Sequence, residues 1–285
     1  MLGSPTLLDG AMGTALQARG LAADALPEEW LLSRPEEIAA VHTAHAAAGA
    51  GVLLTCSFNA AAPRLAARMG GARADDLCAR AVGLARAAAS GALVAGALGP
   101  TGLARPGDPS PRRSELGERY DQPARALAVA GADLLWLESQ WDVGEARAAL
   151  AAARRTGLPV AVTFTLRETR AGRFEAPDGT PAEDCLRAVA ADGALAAGVN
   201  CVSPGPALAA LAAWAAVALP VPFAAKPSPG PPGAVLSPSQ FAAALAPALR
   251  GRAWLAGGCC GATAAHLAAL GAALGAALAA TTSPR

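Results

Sequence analysis

The sequence predicts an α/β protein built as a single-domain (β/α)8 barrel (TIM barrel) over residues 1–285. Short apolar runs alternate with alanine-rich helical stretches along the whole chain, as in repeated βαβ units that build a parallel sheet. Eight such runs can be found, and 285 residues are close to the roughly 250 that one barrel uses. Polar and cysteine side chains follow the ends of these runs, as they do on the active-site face of such barrels.

Each predicted strand is a short apolar run, and a stretch able to form a helix follows most of them. In chain order the strands are Thr6–Asp9, Gly51–Ser57, Leu93–Leu98, Asp133–Glu138, Pro159–Thr165, Ala197–Cys201, Val221–Ala225 and Ala253–Gly257. The helical stretches are Pro35–Ala48, Ala74–Ala89, Glu145–Arg155, Ala182–Ala191, Ala207–Ala216 and Ser239–Ala248. No linker, repeat or second domain interrupts this alternation.

Three remaining segments are not strands. The proline-bearing segments 99–120 and 226–238 follow strands, so we expect stiff loops that overhang the catalytic mouth. The apolar tail 262–280 consists mostly of alanine, glycine and leucine, of which alanine and glycine drive membrane insertion weakly. We therefore expect the tail to form a buried or interface-packed helix.

Charge and cysteine content narrow the class of protein. The formal net charge is +1, which gives no electrostatic basis for binding nucleic acid or an anionic membrane. The N-terminal residues show no basic region and no signal-peptide core, which favours a cytoplasmic protein. In a reducing cytoplasm the six cysteines are expected to bind metal or react more often than to form disulfides.

The most informative motif is Gly257-Gly258-Cys259-Cys260-Gly261. Its glycines let the backbone turn tightly and bring both thiols to one soft metal ion. Cys201, at the end of the sixth predicted strand, is a candidate third ligand. Three cysteine ligands would leave one position open, as in catalytic zinc sites. The alternative is a pair of buried small residues, since free cysteines are often buried.

Seven segments, in order along nearly the whole chain, match one protein family. They are Leu8–Thr14, Ile38–His42 with Ala48–Ala50, Thr55–Asn59, Gly99–Thr101, Gly131–Glu138, Gly198–Cys201 and Gly257–Gly261. On these segments the chain resembles the homocysteine S-methyltransferases, which are zinc-dependent barrels related to the homocysteine-binding module of cobalamin-dependent methionine synthase. No single segment is decisive, but the ordered set is specific.

The resemblance implies an enzyme that moves a methyl group to the thiol of homocysteine, giving methionine. It implies Zn²⁺ held by Cys201, Cys259 and Cys260, which are then also the catalytic residues. A free thiol has a pKa of about 8.5 and attacks carbon well only as the thiolate. Coordination to zinc deprotonates the thiol at neutral pH, so the metal activates the acceptor.

The same resemblance suggests how the amino acid end of homocysteine is bound. Asp9 and Glu138, at the ends of different strands, suit its ammonium group. The turn from Gly10 to Thr14 offers backbone N–H groups and the Thr14 hydroxyl to its carboxylate. Asp9 could instead cap a helix that follows it. Asn200 could orient the neighbouring cysteine or close a turn.

Departures from the family leave the methyl donor open. Cys56 stands where methionine synthases usually have asparagine, and Pro227–Gly230 replaces the familiar Pro-Asn-x-Gly. We favour a small donor of the S-methylmethionine, S-adenosylmethionine or betaine type. The alternative is methylcobalamin on a corrinoid protein, which would make this chain the homocysteine-activating subunit of a split methionine synthase.

Other interpretations rank lower. One is a zinc-binding barrel without catalysis. A redox role for the adjacent Cys259 and Cys260 is disfavoured, because their disulfide ring would be strained. His42 and His45, one helical turn apart, are expected to serve packing or interface roles and not to bind metal. Association into a homo-oligomer stays open.

Overall fold

Eight parallel strands form the centre of the fold. The structure is a computed structural model that describes residues 6–69, 74–89, 91–104, 113–217, 219–231, 233–249 and 254–275. The eight strands are β1 (Thr6–Leu7), β2 (Val52–Leu54), β3 (Leu93–Leu98), β4 (Leu134–Gln140), β5 (Val160–Phe164), β8 (Ala196–Asn200), β9 (Phe223–Lys226) and β10 (Trp254–Ala256). Between β5 and β8, the two-residue strands β6 (Arg167–Glu168) and β7 (Phe174–Glu175) pair as a small antiparallel ribbon.

The sheet curls into a barrel. Its strand order is β1-β10-β9-β8-β5-β4-β3-β2, with every pair parallel. A parallel bridge between Leu8 and Val52 joins the two edge strands and nearly closes the ring. The predicted (β/α)8 fold is therefore confirmed, and each predicted strand is found at its predicted place; Ala253 of the last one lies outside the described residues.

Helices surround the barrel. They are α1 (Gly13–Gln17), α2 (Trp30–Ser33), α3 (Pro35–Ala47), α4 (Pro63–Arg68), α5 (Ala74–Ala88), α6 (Arg113–Val129), α7 (Val143–Arg154), α8 (Ala182–Ala191), α9 (Pro204–Val217), α10 (Pro238–Leu249) and α11 (Ala264–Leu274). A 3₁₀ turn over Pro27–Glu29 precedes α2. The six helices predicted from alanine-rich stretches all form, with ends shifted by three residues or fewer.

The predicted loop over 99–120 is wrong in its second half, because α6 begins at Arg113. Residues 105–112 lie outside the described part of the chain. The helix buries Leu116, Tyr120, Ala124 and Leu127, which recur at helical spacing. Charged residues between these positions obscure the pattern in the sequence.

The predicted tail helix is present as α11, which ends at Gly275 in a left-handed conformation. Residues 276–280 of the tail fall outside the described residues. His266 and Leu267 are buried within α11, as expected for a packed helix. Within the described ranges, no helix combines the length and apolar character needed to cross a membrane.

Alanines alternate with leucine and valine in the barrel interior, and Trp136 is its largest side chain. Its indole Nε1 donates to Thr163 Oγ1 at 3.2 Å. The interior cluster also contains Leu8, Val52, Leu54, Ala95, Ala97, Leu134, Ala161, Ala196, Ala224 and Leu255. A second, larger apolar layer lies between the strands and the helices. The core thus supports a rigid rim at the carboxyl ends of the strands.

His42 and His45 on α3 are both buried. Neither ring nitrogen of His42 has a hydrogen-bond partner among the described residues. Burial lowers the pKa of His42 from 6.5 to about 4, although the nearby Asp9 opposes the shift. The folded protein therefore keeps His42 neutral at pH values where an unfolded chain would protonate it.

This difference predicts a loss of stability in acid. Between pH 6.5 and 4 the unfolded state binds the proton and the folded state does not, so stability falls as the pH falls. We expect His42 to contribute a loss of about 3 kcal/mol between pH 7.5 and 4, at 1.36 kcal/mol per pKa unit. Urea unfolding of the parent and of His42→Leu across this range measures it. Parallel pH profiles for the two proteins would contradict it.

Candidate active site and metal centre

A cavity of about 340 Å³ opens at the carboxyl ends of the barrel strands. Its wall includes Asp9 after β1, Glu138 on β4, Cys201 after β8 and Lys226 at the end of β9. This is the face on which barrels of this kind carry their active sites. A larger and more open groove of about 850 Å³ lies over α6, α7 and α8, and it is lined by none of the predicted site residues.

Three thiols meet at this cavity. Cys201 Sγ lies 2.6 Å from Cys259 Sγ and 3.6 Å from Cys260 Sγ. All three sulfur atoms lie within 4.8 Å of one another, and they form the one His/Cys/Asp/Glu group suited to a metal ion within the described ranges. Cys56 is buried and also lines the cavity, but it does not belong to this group.

The thiols need a cation to stay ionised. The contact with Cys201, together with burial and the nearby Glu138 carboxylate, raises the pKa of the Cys259 thiol to about 12. A thiol with this pKa is protonated at neutral pH, whereas a coordinated thiol is deprotonated. The arrangement therefore suits a soft metal ion that replaces the protons.

The backbone is strained beside the three cysteines. Ser139 (φ 56°) and Cys201 (φ 55°) are the non-glycine residues with a left-handed backbone in the described part of the chain. Such a conformation is unfavourable for residues with a Cβ and is often found at functional sites. The strand ends that carry Glu138 and the first cysteine are thus held in conformations that local preference alone would not select.

Asn200 holds these two strained residues together. Its Oδ1 accepts from Ser139 N, and its Nδ2 donates to Ser139 Oγ, both at 2.7 Å. The same Nδ2 group lies 3.8 Å from Cys259 Sγ, within range for a weak bond to sulfur. Asn200 is fully buried, so it links the end of β4 to the cysteine cluster.

Glycine is required in the loop that carries Cys259. A Cβ on Gly257 would lie 2.5 Å from the Asp9 carbonyl oxygen, and one on Gly258 would lie 2.2 Å from Ala262 Cβ. The loop is anchored by Cys259 N, which donates to Pro227 O at 2.9 Å. The segment after β9 therefore packs directly behind the cysteines.

Thr14 anchors the same loop from the other side. Its Oγ1 accepts a hydrogen bond from Gly261 N at 2.9 Å. Thr14 does not line the cavity, whereas the backbone of Gly10 to Gly13 does. Within the described ranges, the N–H groups of Gly10 and Met12 donate no hydrogen bond. The turn thus lies beside the cavity with two N–H groups that have no partner, while the threonine hydroxyl supports the loop that carries the cysteines.

Asp9 forms a buried ion pair. Its Oδ2 accepts from Leu54 N at 2.8 Å, and its Oδ1 lies 2.5 Å from Lys226 Nζ. The two residues are 3% and 2% exposed. Asp9 does not cap α1, because the residue before that helix is Met12 and no side chain caps it.

Lys226 was missed by the sequence interpretation, which placed it in a loop. A signal was available, because Lys226 is the only lysine in the 285 residues. The chain uses arginine for every other strong cation, and its single lysine ends an apolar strand. A charged residue at the carboxyl end of a barrel strand is a candidate site residue.

Glu28, which lines the same cavity, was also missed. Glu28 accepts hydrogen bonds from Asn59 N and Asn59 Nδ2, both at 2.8 Å. Arg64 Nε donates to Asn59 Oδ1 at 2.7 Å. Burial raises the pKa of Glu28, and the bonds from Asn59 oppose that shift. No periodic pattern in the sequence points to Glu28, whereas Asn59 lies just beyond the end of a predicted strand.

The expected walls differ from the observed ones. Residues 26–28, which lie between β1 and β2, line one side of the cavity. The predicted walls were segments that follow later strands. Of the two predicted overhanging loops, segment 226–238 contributes Lys226, and residues 99–104 contribute nothing to the lining. Gly99 instead packs against Phe58, which does line the cavity.

Comparisons with known proteins agree with this geometry. A family model described as homocysteine S-methyltransferase matches residues 6–274. The chain is 34% identical over 297 residues to the homocysteine S-methyltransferase of Escherichia coli (strain K12), with 93% of each protein covered. It is 30% identical over 220 residues to homocysteine S-methyltransferase YbgG of Bacillus subtilis (strain 168), with 68% of each covered.

A solved structure is similar over nearly the same length. The crystal structure of the homocysteine methyltransferase MmuM from Escherichia coli, in its metallated form, superposes with a TM-score of 0.79 at 32% identity. The match covers 94% of this chain and 95% of the other. The oxidized form of that protein gives the same TM-score, 0.79.

Proposed function

This chain belongs to the homocysteine S-methyltransferase family, and on that premise we propose how its residues carry out methyl transfer to homocysteine, which yields methionine. The observation that carries the proposal is the convergence of three thiols on a small cavity at the strand ends. The cavity joins a metal-binding wall to groups that can hold an amino acid. Both substrates in the proposal are small molecules.

The metal proposed for the cluster is zinc. Three cysteine sulfurs within 4.8 Å of one another suit this soft-ligand ion, whereas magnesium and calcium prefer oxygen. Three protein ligands leave one of the usual four positions for substrate. When bound, zinc would keep the acceptor thiol deprotonated at neutral pH. Asn200 and Thr14 would hold the cysteines in place for it.

The amino acid end would lie near the cysteines, against the part of the cavity wall that carries Glu138. Glu138 offers a carboxylate for the ammonium group, and burial raises its pKa to about 7, with Lys226 opposing the rise. A bound ammonium group would stabilise the ionised form. Asp9 adds negative charge nearby, although Lys226 already pairs with it. The turn from Gly10 lines the same cavity, and its N–H groups without partners would suit the carboxylate.

The reaction is a displacement at a methyl carbon. The acceptor sulfur forms a bond to that carbon while the bond from the carbon to the donor sulfur or nitrogen breaks. The bonding electron pair stays on the donor, which leaves as a neutral thioether or amine. Met12, Leu26 and Phe58 line the cavity, and their apolar surfaces would limit access of water to the reacting groups.

Cavity size favours a small onium donor. The volume of about 340 Å³ lies near the lower end of the roughly 300–1,000 Å³ found for small-molecule sites. A corrinoid ring is too large for a cavity of this volume and would have to stay outside, whereas the methyl group of a small sulfonium or betaine could reach an acceptor thiol within it. The proposed donors are therefore of the S-methylmethionine, S-adenosylmethionine or betaine type.

A donor panel tests this proposal. The zinc-loaded protein is incubated with homocysteine and, separately, S-methylmethionine, S-adenosylmethionine, glycine betaine, free methylcobalamin or a methylated corrinoid protein, and methionine is quantified. Turnover with at least one small onium donor is expected. Turnover with the corrinoid donors alone would overturn the donor assignment and favour a subunit of a split methionine synthase.

Glu138→Gln is expected to weaken acceptor binding without removing the metal. Loss of one charge-assisted contact corresponds to roughly 1.5–3 kcal/mol, or about ten- to a hundredfold in affinity. KM for homocysteine should rise by this factor while KM for the donor and the zinc content stay near the parent values. An unchanged homocysteine affinity would show that another group binds the ammonium.

A further inference from the structure

We propose that Arg64 selects the methyl donor by binding a carboxylate that the donor carries. This inference rests on the proposed function, because it concerns the second substrate of the same cavity. It adds a recognition element to the methyl-bearing onium centre. It also excludes simple onium ions, such as trimethylsulfonium, as efficient donors.

Arg64 brings unused hydrogen-bond donors to the cavity. It lies near the start of α4 and lines the cavity, and it is exposed. Its Nε donates to Asn59 Oδ1 at 2.7 Å. Within the described ranges, neither terminal nitrogen of its guanidinium makes a hydrogen bond or an ion pair. Because a guanidinium also carries donors on both terminal nitrogens, these remain available to a ligand.

A buried pair of residues holds Arg64 in place. Asn59 and Glu28 are 3% and 1% exposed. Glu28 accepts from Asn59 N and from Asn59 Nδ2, both at 2.8 Å, so the Asn59 oxygen is left for Arg64. Glu28 therefore acts on Arg64 through a neutral amide. The guanidinium is oriented while its charge stays free for a ligand.

A carboxylate is the ligand group that this arrangement suits. Arg64 and Lys226 are the cations among the described residues that line the cavity. Lys226 is paired with Asp9, whereas Arg64 has no carboxylate within ion-pair distance in the described part of the chain. A guanidinium binds a carboxylate through two parallel hydrogen bonds, which adds geometric specificity to the charge attraction.

The position of Arg64 favours the donor over the acceptor. The acceptor thiol has to reach the cysteines after β8 and β10, and the turn after β1 would take its carboxylate. Arg64 lies on α4, which follows β2, and its exposure places it where a second substrate can enter. Its positive charge repels an onium ion without a carboxylate, and such repulsion is a common source of specificity.

The experiment compares donors that differ only in the carboxylate. S-Methylmethionine is paired with (3-aminopropyl)dimethylsulfonium, S-adenosylmethionine with its decarboxylated form, and glycine betaine with tetramethylammonium. Homocysteine consumption at saturating homocysteine gives kcat and KM for each donor. The zinc-loaded proteins are the parent, Arg64→Gln, Arg64→Lys and Arg68→Gln. Arg68 is the matched control, because it lies on the same helix but pairs with Glu29 and does not line the cavity.

The ratio of kcat/KM within a donor pair decides the outcome. In the parent, the donor with the carboxylate should be preferred about ten- to a hundredfold, the usual range for one charge-assisted contact. In Arg64→Gln the ratio should fall to near one, mainly through a higher KM for the donor with the carboxylate. Arg64→Lys keeps the charge and should retain part of the preference. Arg68→Gln should keep the parent ratio.

Two further readouts separate this inference from the proposed function. Zinc content and KM for homocysteine should stay near the parent values in Arg64→Gln. An unchanged donor ratio in that variant would overturn the role of Arg64 and leave the proposed function standing. A rise in KM for homocysteine, with the donor ratio kept, would assign Arg64 to the acceptor instead. No turnover of any pair by the parent would contradict the donor assignment as well as this inference.

Discussion

Replacing any one of Cys201, Cys259 and Cys260 by alanine should remove the bound metal and reduce methyl transfer to background. Zinc binding in small sites amounts to about 10–16 kcal/mol over four ligands, so the loss of one thiolate costs on the order of 3 kcal/mol or more. That is at least about a hundredfold in affinity. Activity should fall further, because the acceptor thiol then loses its activation. Metal analysis of purified variants and methionine formation measure both effects.

Two cysteines outside the cluster provide the controls. Cys56→Ala removes a thiol that lines the cavity but lies outside the metal-binding group, so zinc content should stay near one per chain. Cys185→Ala alters a buried thiol on α8 and controls for the loss of any buried cysteine. Full zinc occupancy in a Cys259→Ala, Cys260→Ala double variant would contradict the site. Loss of zinc from Cys56→Ala would add a fourth ligand.

The ion pair between Asp9 and Lys226 should give the largest effect on folding. Both groups are almost fully buried, and removal of one partner leaves an uncompensated charge in the interior. Such changes typically cost about 3–5 kcal/mol. Lys226→Met should therefore lower the free energy of unfolding by this amount in a denaturant titration. The pair also joins β1 to β9 across β10, so its loss affects three neighbouring strands.

The combined variant Asp9→Asn, Lys226→Met distinguishes charge from packing. If the cost comes from the stranded charge, the double variant should recover most of the stability that Lys226→Met loses, giving a coupling energy well above 1 kcal/mol. If the stability losses of Asp9→Asn and Lys226→Met simply add up in the double variant, each side chain instead contributes through its own packing. Zinc content should be measured in parallel, because bound metal raises apparent stability.

The strands and the thiol cluster could be predicted because each rests on a local pattern. Leu93–Leu98 is a continuous apolar run, and β3 has the same bounds. The helix over Ala182–Ala191 was likewise found with its predicted bounds. Parallel strands bring their carboxyl ends to one rim, so residues far apart in sequence, such as Cys201 and Cys259, could be expected to meet there. The structure places their sulfur atoms together.

Other parts of the cavity wall depend on contacts that sequence patterns do not encode. Glu28 lies in a 3₁₀ turn and reaches Asn59 from 31 positions away, so no periodicity marks it. Asp9 offered two roles, helix cap or site residue, and only the presence of Lys226 Nζ beside it identifies its partner. The prolines at 106, 109 and 111 predicted a loop over 99–120, although α6 already begins at Arg113.

The left-handed backbone at Cys201 lowers the stability of the fold at a position where activity is expected to need the thiol. A glycine there would adopt φ 55° without the Cβ clash and would relieve roughly 1–2 kcal/mol of strain. A search for stabilising substitutions would therefore favour glycine at 201, and the selected protein would be more stable but would lack one of the three proposed metal ligands. The cysteine persists against local conformational preference, so thermostabilisation of this enzyme should treat position 201 as fixed.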